Sequence, residues 1–127
     1  MPKVVSHNSS QIKNKEEIKQ KLDLYNFLDI TKKEEILNFI LENKNSITEF
    51  TKFLDEAHSK IKEFFGEVPI SIELHTDPET GNQTLFIIVI DESRPLSEST
   101  KIHNELLEKW FIYRNRKLIR KTGISVL

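Results

Sequence analysis

Along this chain the spacing of apolar residues starts with a helical period, drops to a period of two, and returns to a helical one. Ile18, Leu22, Tyr25 and Leu28 recur at steps of three and four, so a short amphipathic helix is expected from Glu16. Thr31-Lys32-Lys33-Glu34 has the form of a capping box ahead of Ile36, Leu37, Phe39, Ile40 and Leu41, which predicts a second helix. Asn43 to Asn45 interrupt that pattern. Ser46-Ile47-Thr48-Glu49 then repeats the capping signature, and Ile47, Phe50, Leu54, Ala57, Ile61, Phe64 and Phe65 mark the clearest helix of the sequence. Gly66 and Pro69 end it, and the two helices should form a hairpin with a tight joint.

Beyond Pro69, Ile70, Ile72 and Leu74 alternate with Ser71, Glu73 and His75, the pattern of a strand with one buried and one wet face. Thr76 to Asn82 carries Asp, Pro and Gly where a hairpin turn needs them. The run Leu85-Phe86-Ile87-Ile88-Val89-Ile90 follows. It is too short for a helix and rich in β-branched residues, so it is read as a strand buried on both faces, around which the rest of the chain is organised. After Ser93-Arg94-Pro95 breaks the chain, Ser97 to Thr100 offer helix caps, and Ile102, Leu106, Leu107, Trp110 and Phe111 mark one helical face. Thr122 to Leu127 suits a last strand, with Ile124 and Val126 on one face.

The expected fold class is α+β, with N-terminal helices, a β-hairpin, a helix and a C-terminal strand, giving a three-stranded mixed sheet packed on helices. A strand, helix, strand connection within one sheet makes the last strand parallel to residues 85–90. Its insertion point stays open: beside the central strand, or across it against Ile70 to Leu74. The apolar run favours a central position for residues 85–90, yet would also suit an edge buried against a second subunit, and a homodimer is expected on that ground.

Composition bounds the class. A chain of 127 residues, 37% hydrophobic and 31% charged, fits one globular domain. Residues 1–15, rich in Ser, Asn and Lys, carry too little apolar surface to offset the entropy of ordering and are expected to be a disordered arm, with residues 16–127 as a single domain. No apolar run reaches membrane-span length and no signal peptide is evident, so the expected location is the cytoplasm and no membrane partner is expected. The absence of cysteine agrees with a reducing compartment and removes thiolate chemistry, disulfides and the usual structural zinc sites.

Chemistry-bearing residues are sparse. The four histidines, His7, His58, His75 and His103, show no metal-ligand spacing, and three glycines make no phosphate-binding loop, so no cofactor or metal is expected. Asp91 and Glu92 stand at the end of the apolar strand, where α/β enzymes often place acids, and with His75 they form the weakest of the functional readings. The one strong charge asymmetry is residues 109–121, where Lys109, Arg114, Arg116, Lys117, Arg120 and Lys121 stand without an acid, leaving 13 cations against 20 acids elsewhere. Interleaved with Trp110, Phe111 and Tyr113, these cations could contact phosphates while the rings stack on bases. The plainer alternative places Trp110 and Phe111 in the core, with cations decorating a helix C-terminus.

Over residues 46–127 the sequence resembles a family of small bacterial proteins of uncharacterised activity, well represented in cyanobacteria. The resemblance rests on Lys60-Ile61-Lys62-Glu63-Phe64-Phe65, the Asp77-Pro78-Glu79 turn, the Leu85-Phe86 strand, the Leu96-Ser97 helix start, and Glu108-Lys109-Trp110-Phe111 before a final strand. Lys109 stands where the family has the second residue of an acidic pair, and Arg120-Lys121-Thr122-Gly123 where it has glycine-lysine. The resemblance implies a fold unit, encoded beside a partner gene, and no reaction. The reading that follows is a non-catalytic protein-interaction module, such as the antitoxin-like regulatory partner of a neighbouring enzyme. The alternative is a nucleic-acid-binding protein using residues 109–121.

Overall fold

The computed structural model describes residues 14–26, 30–112, 118 and 120–127. Residues 14–22 form helix α1, and Ile30–Glu42 form α2. A 3-10 turn at Lys44–Ser46 then leads into α3 (Ile47–Phe65). The strands β1 (Ile70–Thr76) and β2 (Gln83–Val89) follow, then α4 (Leu96–Leu106), which a π-helical turn at Leu107–Phe111 prolongs, and β3 (Thr122–Val126). The architecture is α+β, with the helix pair ahead of the strands. Of the expected arm, Asn14 and Lys15 are helical, while residues 1–13 lie outside the described residues, as does Leu28.

The helix limits follow the sequence signals closely. α2 begins at Ile30, one residue ahead of the Thr31 box. Ser46 precedes α3 as expected but makes no side-chain cap bond. The Gly66 amide donates to the Lys62 carbonyl at 2.9 Å and closes that helix. The buried face of α3 is Phe50, Thr51, Phe53, Leu54, Ala57, Ile61 and Phe65; the spacing marks five of these, Phe50, Leu54, Ala57, Ile61 and Phe65, while Ile47 and Phe64 are only half-buried.

The sheet order is β1-β2-β3. β1 and β2 are antiparallel, from Ile70 opposite Val89 to Thr76 opposite Gln83. Their turn is closed by the Asp77 amide on the Asn82 carbonyl and the Gly81 amide on the Asp77 carbonyl, both at 2.8 Å. Gly81 has φ +77°, which a side chain would strain. β3 runs parallel to β2, with Ile87 opposite Ile124, so β2 is the central strand.

The helical layer covers one face of this sheet. α2 packs on β1, α4 packs on β3, and α3 touches both helices. Leu85, Ile87 and Val89 of β2 are fully buried beneath them, together with Ile70, Ile72 and Ile124. The other face behaves differently from the expectation of a strand buried on both sides: Phe86 and Ile88 are only half-buried, and Glu73 and His75 beside them are exposed. Phe86 finds cover within the sheet itself. Its ring lies across Gly123, where an added Cβ would stand 2.5 Å from its Cε1, and the edge of His75 meets it at 6.2 Å.

The core is aromatic at its α4 end. Phe53 stacks on Trp110 with centroids 6.1 Å apart and meets Phe111 edge-on at the same distance. Trp110 and Phe111 lie in the π-helical turn, and both rings are turned inward.

Candidate functional site

The edges of the sheet differ. Asn26, just past α1, forms a parallel bridge with Ser71 at the outer edge of β1. Its amide donates to the Ile70 carbonyl at 2.9 Å, and the Ser71 hydroxyl donates to the Asn26 carbonyl at 3.2 Å. The start of that edge is therefore blunted by the chain's own backbone.

Among the described residues, the outer edge of β3 meets no other strand. The Leu85 amide donates to the Lys121 carbonyl, the Leu127 amide to the Val89 carbonyl, and the Asp91 amide to the Leu127 carbonyl. Odd-numbered residues of β3 thus face β2, and parallel pairing makes Thr122, Ile124 and Val126 direct their amides and carbonyls outward. Among the described residues, no backbone partner meets the Ile124 and Val126 amides. Nothing in the sequence 122–127 protects the edge either, since it holds no charge and no proline.

A flank of α4 runs beside that edge. Leu96, Thr100, His103 and Leu107 recur at steps of four, three and four, which puts them on one side of the helix. His103 fixes which side: its Nε2 lies 2.6 Å from the Ile124 carbonyl oxygen. A carbonyl only accepts, so Nε2 carries the proton. Leu96 is 71% exposed on this flank and Leu107 is half-buried. Edge and flank are treated together as a trough, with a floor that is a strand edge unpaired among the described residues and a wall that is partly apolar helix.

At one end of the trough lies a buried ionic knot. The Asp91 side chain is fully buried and accepts from Ser93 Oγ at 3.0 Å, Arg94 Nη1 at 2.9 Å and Ser99 Oγ at 2.8 Å. Arg94 Nη2 also donates to the Phe65 carbonyl at 3.0 Å, tying the end of α3 to the start of α4. Burial alone would push the Asp91 carboxyl up, but the hydrogen bonds from Arg94, Ser99 and Ser93, with the Arg94 charge, outweigh it and hold the carboxyl below its ordinary value. With these donors around it, the carboxylate has the surroundings of a structural anchor.

The acid and histidine pairing considered from sequence is not assembled. His75 of β1 pairs with Thr84 of β2, and the seven steps from Thr84 to Asp91 span about 23 Å of extended chain. Glu92 is exposed. His58 packs against the edge of Tyr25 at 5.8 Å, and its pKa is lowered by burial and then by the Lys62 charge. His7 lies outside the described residues. Among the described residues, no three His, Cys, Asp or Glu side chains are placed to hold a metal ion, and no helix is long and apolar enough to cross a membrane.

The basic segment is divided. Arg114, Arg116 and Lys117 lie outside the described residues, as does Tyr113. Lys109 and Arg120 are exposed, whereas Lys121 Nζ donates to Asn43 Oδ1 at 2.6 Å. Trp110 and Phe111 are core residues, 3% and 7% exposed, and Trp110 Nε1 donates to Glu56 at 3.3 Å. Neither ring offers a face for a base to stack on.

No family model, curated protein or solved structure matches this chain. The reading of the site rests on its geometry. Sequence reasoning placed β3 but missed the trough, because which edge stays open depends on Asn26 reaching β1, a contact with no local signature. The one available signal was the uncharged stretch 122–127, unusual for an edge strand.

Proposed function

We propose that this chain is a non-catalytic protein-interaction module that receives an extended strand at the outer edge of β3. The carrying observation is the outward-facing Ile124 and Val126 amides, which have no backbone partner among the described residues. Main-chain pairing at such an edge supplies affinity, and the adjoining α4 flank supplies side-chain contacts. The cysteine-free sequence fits action in a reducing compartment such as the cytoplasm.

A photo-reactive residue at Thr100, exposed on the trough wall, tests this in cells, with Glu79 in the β1–β2 turn as the control position. Protein adducts at position 100 and none at 79 are expected. No adduct, or equal labelling at both positions, overturns the reading. Adducts with nucleic acid at position 100 would instead favour the basic segment as the working surface.

A further inference from the structure

We infer that the strand received at β3 is β3 of a second copy of this chain, paired antiparallel about a two-fold axis at Ile124. This rests on the strand-addition reading above and names its partner.

The register follows from the strand itself. Thr122, Ile124 and Val126 are the outward-facing residues, and Ile124 is the midpoint of Thr122–Val126. Centring the axis there sets Thr122 against the partner copy's Val126 at both ends and Ile124 against its own equivalent. All three outward positions are then used, whereas a shift of one pair leaves one unmatched on each chain. The Ile124 carbonyl has two lone pairs, so it can keep His103 and accept the new amide as well.

Charge favours the same arrangement. At the start of β3 stands Arg120, which is exposed. At its other end, where the Asp91 amide meets the Leu127 carbonyl, stands Glu92, also exposed. Antiparallel self-pairing brings the basic end of each copy to the acidic end of the other, and parallel pairing would set like charges together. The α4 helices are brought side by side at the same time, which covers Leu96 and Leu107. A six-stranded sheet with no open β3 edge results.

The test is light scattering on the purified full chain across a concentration series. A species of twice the 14.9 kDa chain mass is expected at micromolar concentration. Val126→Pro removes one outward amide on each chain, and Arg120→Glu reverses the basic end; each is expected to weaken dimerisation at least tenfold. Arg120 is exposed, so that variant is expected to keep the folded Trp110 fluorescence. Adding Glu92→Arg to Arg120→Glu should restore the dimer. A chain that stays monomeric, or a dimer indifferent to both single variants, overturns the inference. A monomer whose position 100 still labels another protein overturns this inference alone and leaves strand addition standing.

Discussion

Asp91→Ala should be among the most damaging single substitutions in this chain outside the apolar core. The carboxylate is fully buried and neutralises Arg94, whose own side chain is 30% exposed. Removing it strands the Ser99 hydroxyl, which is 1% exposed, and unties the guanidinium that links the Phe65 carbonyl to α4. Breaking a fully buried pair from one side costs about 3–5 kcal/mol; Arg94 keeps some water and its Phe65 bond, so about 3 kcal/mol is expected here. That is a large share of the roughly 5–15 kcal/mol that holds a domain folded. Urea unfolding followed by the fluorescence of the single tryptophan, Trp110, which is buried against Phe53, reads it directly. With a slope of about 2 kcal/mol per molar, the midpoint should fall by about 1.5 M with the slope unchanged. Asp91→Asn should fall between, since the amide keeps one acceptor but turns a donor toward donors. Ser93→Ala, at an exposed residue, should shift stability by less than about 0.5 kcal/mol. An Asp91→Ala protein within about 0.5 kcal/mol of wild type would refute the anchor, because it would mean that the donors around the carboxylate are satisfied without it.

Gly123→Ala puts a methyl group 2.5 Å from the Phe86 ring and should destabilise by about 1–2 kcal/mol, a loss that Phe86→Ala in the same chain should largely remove, read by the same urea titration. Tyr25→Phe deletes a buried hydroxyl that donates to the Leu54 carbonyl at 2.5 Å and should cost about 1 kcal/mol on that assay. His58 and Asp91 both have folded pKa values below their ordinary 6.5 and 3.8, so the unfolded chain binds more protons just below each value. Stability should therefore fall as pH drops below 6.5 and again below 3.8, and His58→Gln should flatten the first fall; an unchanged pH profile in that variant would refute the assignment.

What the sequence made legible were features with a local cause. The α3 face, the Gly81 turn and the parallel placement of β3 follow from periodicity, turn chemistry and crossover geometry. What it hid depends on contacts far apart in the chain. The apolar run of β2 looked buried on both faces, yet Phe86 is partly covered by lying over Gly123, 37 positions later, and no second layer of structure is needed to explain its apolar character. Asp91 looked like a strand-end acid, because a carboxylate at a solvated end and one inside a ring of donors share the same neighbours in sequence. The aromatic and basic mixture at residues 109–121 left a core placement and a stacking surface both open for Trp110 and Phe111; their helical spacing favoured the core, where they pack on Phe53.

The anchor and the open edge are parts of one construction. Asp91 holds Ser99 of α4 through its side chain and the carbonyl of Leu127, just past β3, through its amide, so the start of the helix and the end of the strand are fixed to the same residue. Half a helix later, His103 ties α4 to Ile124 at the middle of the strand. The trough floor and its wall therefore keep their relation at two separate points. An edge that pairs with another strand gains affinity from such preorganisation, because little ordering remains to be done on binding. At β1, Asn26 covers the Ile70–Ser71 end of the edge with the chain's own backbone. A strand edge that meets no other strand among the described residues, and that α4 braces at two points, suits a single, directed strand contact.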